Sequence, residues 1–83
     1  MESVGRYLEE VWEQPHEVLD LFLLVLNPRR RVNANDQVPW AAEWLLKKGL
    51  VSATFEKPKN RGIHVRLEPT DLGRAVGELI TAI

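Results

Sequence analysis

Apolar residues recur at helical spacing at both ends of this chain and alternate in its second half, with polar stretches marking the joints. Over residues 3–13, Val4, Leu8, Val11 and Trp12 share one flank with Tyr7, while Glu9, Glu10 and Glu13 fall opposite. That spacing predicts an amphipathic helix, with Ser3 placed to cap it. Pro15 ends this helix and opens the next, because proline is tolerated in a first helical turn but not in an interior. The second helix, 16–26, has almost no polar face beyond Glu17 and Asp20, whose charges suit a helix N-terminus. Such a helix is expected at the centre of the fold, with Val18, Leu19, Phe22, Leu23, Val25 and Leu26 in the core. Asn27-Pro28 stops it.

Residues 28–37, PRRRVNANDQ, read as a polar connection with room for a turn or one short helical turn. Pro39 opens a third helix that runs to Lys48, and Gly49 supplies its left-handed stop beside Lys47 and Lys48. Ala42 and Leu45 should face the core, with Ala41 and Leu46 alongside. Leu50 to Glu56 has strand composition, with Val51, Ala53 and Phe55 on one face. Ile63, Val65 and Leu67 alternate with His64, Arg66 and Glu68, the pattern of a half-buried strand. Lys57-Pro58-Lys59-Asn60-Arg61-Gly62 is turn chemistry between them, so an antiparallel hairpin is expected. Pro69 ends the hairpin and Thr70 caps a last helix bearing Leu72, Ala75, Val76, Leu79, Ile80 and Ile83 on one stripe. The expected class is α+β, in the order α-α-(short turn or helix)-α-β-β-α. One domain spans 1–83, with residues 1–14 as an N-terminal helical extension and 70–83 as a C-terminal helix.

Composition narrows the chemistry. The 83 residues include no cysteine, which excludes disulfides, cysteine-based zinc sites and thiol catalysis. The two histidines, His16 and His64, lack a clustered third ligand, so neither a metal nor a cofactor is expected. Carboxylates pair only on exposed helix faces, as Glu9 and Glu13 do, and no catalytic group or enzyme activity is expected. No apolar run approaches the roughly 18 residues of a membrane span, and no basic segment precedes an apolar one at the N-terminus. A cytoplasmic location is therefore expected.

Charge is segregated along the chain. Residues 1–20 hold six acids against Arg6, and residues 29–66 hold nine bases against Asp36, Glu43 and Glu56. The net charge of -1 conceals a basic middle that can form one positive face. Lys57, Lys59 and Arg61 would sit on a hairpin tip, with His64 and Arg66 facing outward on the adjoining strand. Such a tip either meets phosphates or keeps a sheet edge soluble. Arg29, Arg30 and Arg31 follow a helix end and either meet its carbonyls or clamp phosphates.

The residues WLLKKGLV, then a basic hairpin, then LEPTDLGRAVGELI resemble the back half of winged-helix transcription regulators such as the MarR- and PadR-type families. The resemblance covers residues 38–80, with two residues inserted between Leu67 and Thr70 relative to the usual L-T-x-x-G-R pattern. It implies duplex DNA binding, with a recognition helix in the major groove and a wing near the backbone. It also implies a homodimer formed through the terminal helices. The recognition helix carries Trp40, Glu43, Trp44 and Lys47 on its outer stripe, a poor set for reading bases and a good hydrophobic anchor. The two tryptophans pack on the first helix through Tyr7, Leu8 and Trp12, form a protein-binding patch, or meet DNA. If they are core, base reading falls to Asn33, Asn35, Gln37 and Lys47. The alternative function is a protein-interaction module using the Trp40/Trp44 face or the acidic first helix.

Overall fold

Proline and glycine set the joints of the chain, and the elements between them are short. A computed structural model describes residues 4–56, 62 and 64–81. Helix α1 (Val4–Glu13) and helix α2 (His16–Leu26) meet across Pro15. Strand β1 (Val32–Asn33) and a single 3-10 turn (Ala34–Asp36) lead into helix α3 (Pro39–Lys48). Strands β2 (Val51–Glu56) and β3 (His64–Pro69) follow, then helix α4 (Asp71–Thr81). The fold is α+β, four helices on a three-stranded antiparallel sheet of order β1-β3-β2. No helix among the described residues is long and apolar enough to cross a membrane.

The two-residue β1 was not expected. Its residues pair Val32 with Leu67 and Asn33 with Arg66, which makes β3 the central strand. On the other side, β2 and β3 pair from Val51 opposite Pro69 to Glu56 opposite His64. Residues directly opposite share a face, so Val32, Val51, Ala53 and Leu67 line the core side. Asn33, Thr54, Glu56, His64, Arg66 and Glu68 line the outer side.

The core comprises Leu8, Val11, Val18, Leu21, Phe22, Val25, Val32, Ala41, Ala42, Leu45, Leu50, Val51, Leu67 and Val76. No charged or polar side chain among the described residues is buried with it. On α2 the buried stripe is Val18, Leu21, Phe22 and Val25, at i, i+3, i+4, i+7. Leu23, expected in the core, lies about 150° round the helix from the centre of that stripe and is 42% exposed. Leu19 and Leu26 flank the stripe and are half-buried. Trp12 lies about 90° from the centre of the stripe Val4, Tyr7, Leu8 and Val11, and is 52% exposed instead of sharing the core. Leu46 and Leu79 are exposed for the same geometric reason. Phe55 keeps the alternation that starts at Val51 but lies beyond the edge of the core, and is 75% exposed. The expected cap Ser3, the strand residue Ile63 and the terminal Ile83 lie outside the described residues.

The hairpin is clamped at its base. Gly49 takes φ 76°, in the left-handed region, and donates its N–H to the Leu46 carbonyl at 3.1 Å. The Leu50 N–H returns to Leu45 at 3.1 Å, closing α3. Thr70 then ties the far end of the hairpin to this point. Its hydroxyl donates to the Gly49 carbonyl at 2.6 Å and accepts from the Gly73 N–H at 3.0 Å. Its own N–H donates to the Leu50 carbonyl at 3.1 Å. One threonine thus caps α4 and pins it to the end of α3. α4 crosses this joint so closely that a side chain at Gly73 would collide with the Leu50 carbonyl.

Candidate nucleic-acid interface

The expected DNA-contacting residues divide into three places. The first is the open edge of the sheet. Because β1 is only two residues long, it pairs with β3 at Arg66 and Leu67 alone. Arg31, Asn33, His64 and Arg66 line one depression there, of about 260 Å³, together with Asp36 and Glu56. Arg30 lines a neighbouring one of about 370 Å³ with Arg66 and Arg74. Arg74 was not among the expected contacts, although it stands in the motif that carries the family resemblance; its position three residues into α4 gave no sign that it would reach the sheet.

The cations of this edge are not equivalent. Arg66 Nε lies 3.4 Å from Glu68, two residues along β3, and its Nη1 lies 3.7 Å from Glu56, diagonally across on β2. These carboxylates already compensate its charge. Arg74 Nη1 lies 3.4 Å from Asp71, within its own helix turn. Arg29, Arg30 and Arg31 are exposed, and no described acidic side chain pairs with them. They are not spent on the end of α2 either. Asn27 does that work: its own N–H bonds Leu24, and its Oδ1 accepts the Arg29 N–H at 3.0 Å. The Arg30 N–H takes the Asn27 carbonyl at 3.2 Å, which fixes the turn and leaves three guanidinium groups in solvent.

The second place is α3. Ala41, Ala42 and Leu45 are buried, so Trp40, Glu43 and Lys47 form the outward face. Lys47 is held 3.2 Å from Glu43. The two tryptophans separate. Trp44 is half-buried against the core, with Lys48 Nζ 5.6 Å from its ring centre, and Lys48 reaches Glu10 of α1 at 3.1 Å. Trp40 is 44% exposed, which of its three readings favours a surface role over packing on α1 as core. Gln37 borders a small depression with Glu17 and Asp20 of α2. Asn33 caps the 3-10 turn, its Oδ1 accepting the Asn35 N–H at 3.1 Å.

The third group, Lys57, Lys59 and Arg61, which the sequence leads one to expect on the hairpin tip, lies outside the described residues. Among the described residues no group of three histidines and carboxylates could hold a metal ion. His16 stands 3.1 Å from Glu17 at the start of α2, far along the chain from this edge.

The stripes of α1 and α4 that the sequence offers for dimerisation are largely consumed within the chain. Leu8 and Val11 of α1 and Val76 of α4 are all in the core, and Trp12 and Leu79 remain exposed. Comparison of the chain with known protein families, with characterised proteins and with solved structures finds no match.

Proposed function

We propose that this chain is a winged-helix DNA-binding protein, a small transcriptional regulator of the cytoplasm that holds duplex phosphates by its arginine turn and basic hairpin. The observation that carries the reading is the turn of Arg29, Arg30 and Arg31. Three adjacent guanidinium groups stand in solvent without described acidic partners, beside the central strand of the sheet. Phosphate pairing needs no burial and rewards such a cluster by releasing counterions. The element order supports the same reading: within residues 38–80 the helix α3, the antiparallel pair β2 and β3, and the helix α4 follow in the order that the resemblance implies. The short 3-10 turn stands where such regulators carry a further helix.

On this reading phosphate contacts dominate and base reading is sparse. Lys47 is paired, Gln37 sits beside carboxylates, and Trp40 is a poor reader of base edges. The reading includes a homodimer, checked by sedimentation, and assigns no catalysis. The test is duplex binding across salt concentrations. Replacing Arg29, Arg30 and Arg31 together by alanine should weaken binding and flatten the salt slope by up to about 2.7, from roughly 0.9 per phosphate contact. The Lys57, Lys59 and Arg61 triple alanine variant should do the same. Unchanged affinity and slope in both would end the proposal.

A second reading, a protein-interaction module, draws support from the exposure of Trp40. It requires the tryptophan emission to shift to the blue with a protein partner and to stay unchanged with DNA.

A further inference from the structure

Two neighbouring cavities on the side formed by α2 and α4 share Leu26, Asn27 and Arg74. Their characters are opposite. The first, about 470 Å³, lies between the two helices and is walled by Leu23, Leu26, Gly77 and Thr81. Leu23 is the residue that the buried stripe of α2 leaves outside, and Gly77 contributes no side chain because one there would press on Leu26. An apolar trough therefore opens where two helices would otherwise close. The second, about 370 Å³, carries Arg30, Arg66 and Arg74 from three different elements, with Glu68 as its one acid. Glu78 stands on the border of the first. The two depressions thus adjoin as an apolar half and a basic half of one groove-like surface, and Arg74 borders both.

We propose that this groove binds a free single-chain amphiphile with a carboxylate head, its alkyl chain along Leu23, Leu26 and Gly77 and its head between Arg74 and Arg30. Ligand sites typically combine an apolar wall with a few convergent polar groups. An arginine fork presents two parallel donors to a carboxylate, which fixes the head at one end of the groove. Arg30 supplies a cation that no described carboxylate already occupies, and Arg74 gives up only an exposed pair with Asp71. A ligand with an anionic head but no chain fits only half of the groove. An uncharged chain fits only the other half.

The test is amide-resolved NMR titration of the intact chain with sodium decanoate, below its micelle concentration, alongside decanol and sodium acetate. Decanoate should give saturable shifts at Leu23, Leu26, Asn27, Arg74, Gly77 and Thr81, with decanol and acetate at least tenfold weaker. Arg74→Ala should weaken decanoate about tenfold while leaving decanol unchanged. Leu23→Asn, on a partly exposed position, should weaken decanoate at least tenfold at a temperature where circular dichroism shows the variant still folded. Decanol binding as tightly as decanoate would overturn the proposal. So would shifts centred on Trp12, Trp40 or Phe55, or absent saturation at millimolar decanoate. Binding confined to phosphatidylglycerol vesicles would overturn it as well, since the groove would then be a membrane contact.

Discussion

Gly73 and Gly77 are one helical turn apart on α4, and they should respond to the same substitution very differently. A methyl group at Gly73 meets the carbonyl of Leu50, which is backbone and already accepts the Thr70 N–H. Relief requires α4 to move away from the end of α3. That motion strains or breaks the Thr70 bonds to Leu50 and Gly49. Overpacking costs roughly 1–3 kcal/mol, and each compromised hydrogen bond adds about 1 kcal/mol. Against this, alanine gains about 1 kcal/mol of helix propensity over glycine. The expected net loss for Gly73→Ala is about 2–4 kcal/mol with both bonds compromised. At roughly 4–8 °C per kcal/mol for a domain of this size, its melting temperature should fall by about 8–32 °C. At Gly77 the same methyl group lies 2.8 Å from Cδ1 of Leu26, the far end of a flexible side chain. Rotation of Leu26 relieves it, the propensity gain offsets the cost, and Gly77→Ala should fall within about 1 kcal/mol of the parent. Urea and thermal melts followed by circular dichroism decide the matter. A Gly73→Ala variant as stable as the parent, or a Gly77→Ala variant that loses more, would refute the close approach of α4 to Leu50.

The joint at Thr70 makes its own forecast. Thr70→Val keeps the volume but removes the cap of α4 and the bond to Gly49, and should cost about 1–2 kcal/mol in a denaturant melt. Gly49→Ala should lose about 1 kcal/mol because φ 76° suits glycine, and Gly49→Asn should lose less, since asparagine tolerates that region. The tryptophans of α3 should diverge under alanine substitution. Trp44→Ala should destabilise by about 1.5–3 kcal/mol and Trp40→Ala by under about 1 kcal/mol, which equilibrium unfolding separates.

The sequence is most legible where single residues impose a backbone constraint. α2 and α3 begin and end where Pro15, Asn27, Pro39 and Gly49 require, and Thr70 caps α4 as its chemistry suggests. Where the signal is periodicity, legibility depends on contrast. α2 is apolar on nearly all sides, so its pattern cannot single out the stripe that contains Leu21 and excludes Leu23. β1 has two residues between RRR and NAND, too few to alternate, and it exists only because β3 offers an unpaired edge. The grouping of Arg31, Asn33, His64 and Arg66 follows from that pairing, so it was hidden with it. The neutralisation of Arg66 is a diagonal contact across strands, which depends on register. Trp40 and Trp44 share one stripe in the sequence, and only the folded packing tells them apart, with Trp44 against the core and Trp40 exposed.

The clamp at Thr70 also sets how this chain can change over generations. The two feet of the hairpin, Leu50 and Thr70, are bonded to each other, and Val51 and Leu67 beside them are core, so the hairpin stands on a closed hinge plate. Residues added between Glu56 and Gly62 would leave that plate untouched, and each doubling of a loop costs only about 0.6 kcal/mol. The reach of the arm is thus an adjustable dimension, free to lengthen or shorten while the body of the protein stays as it is.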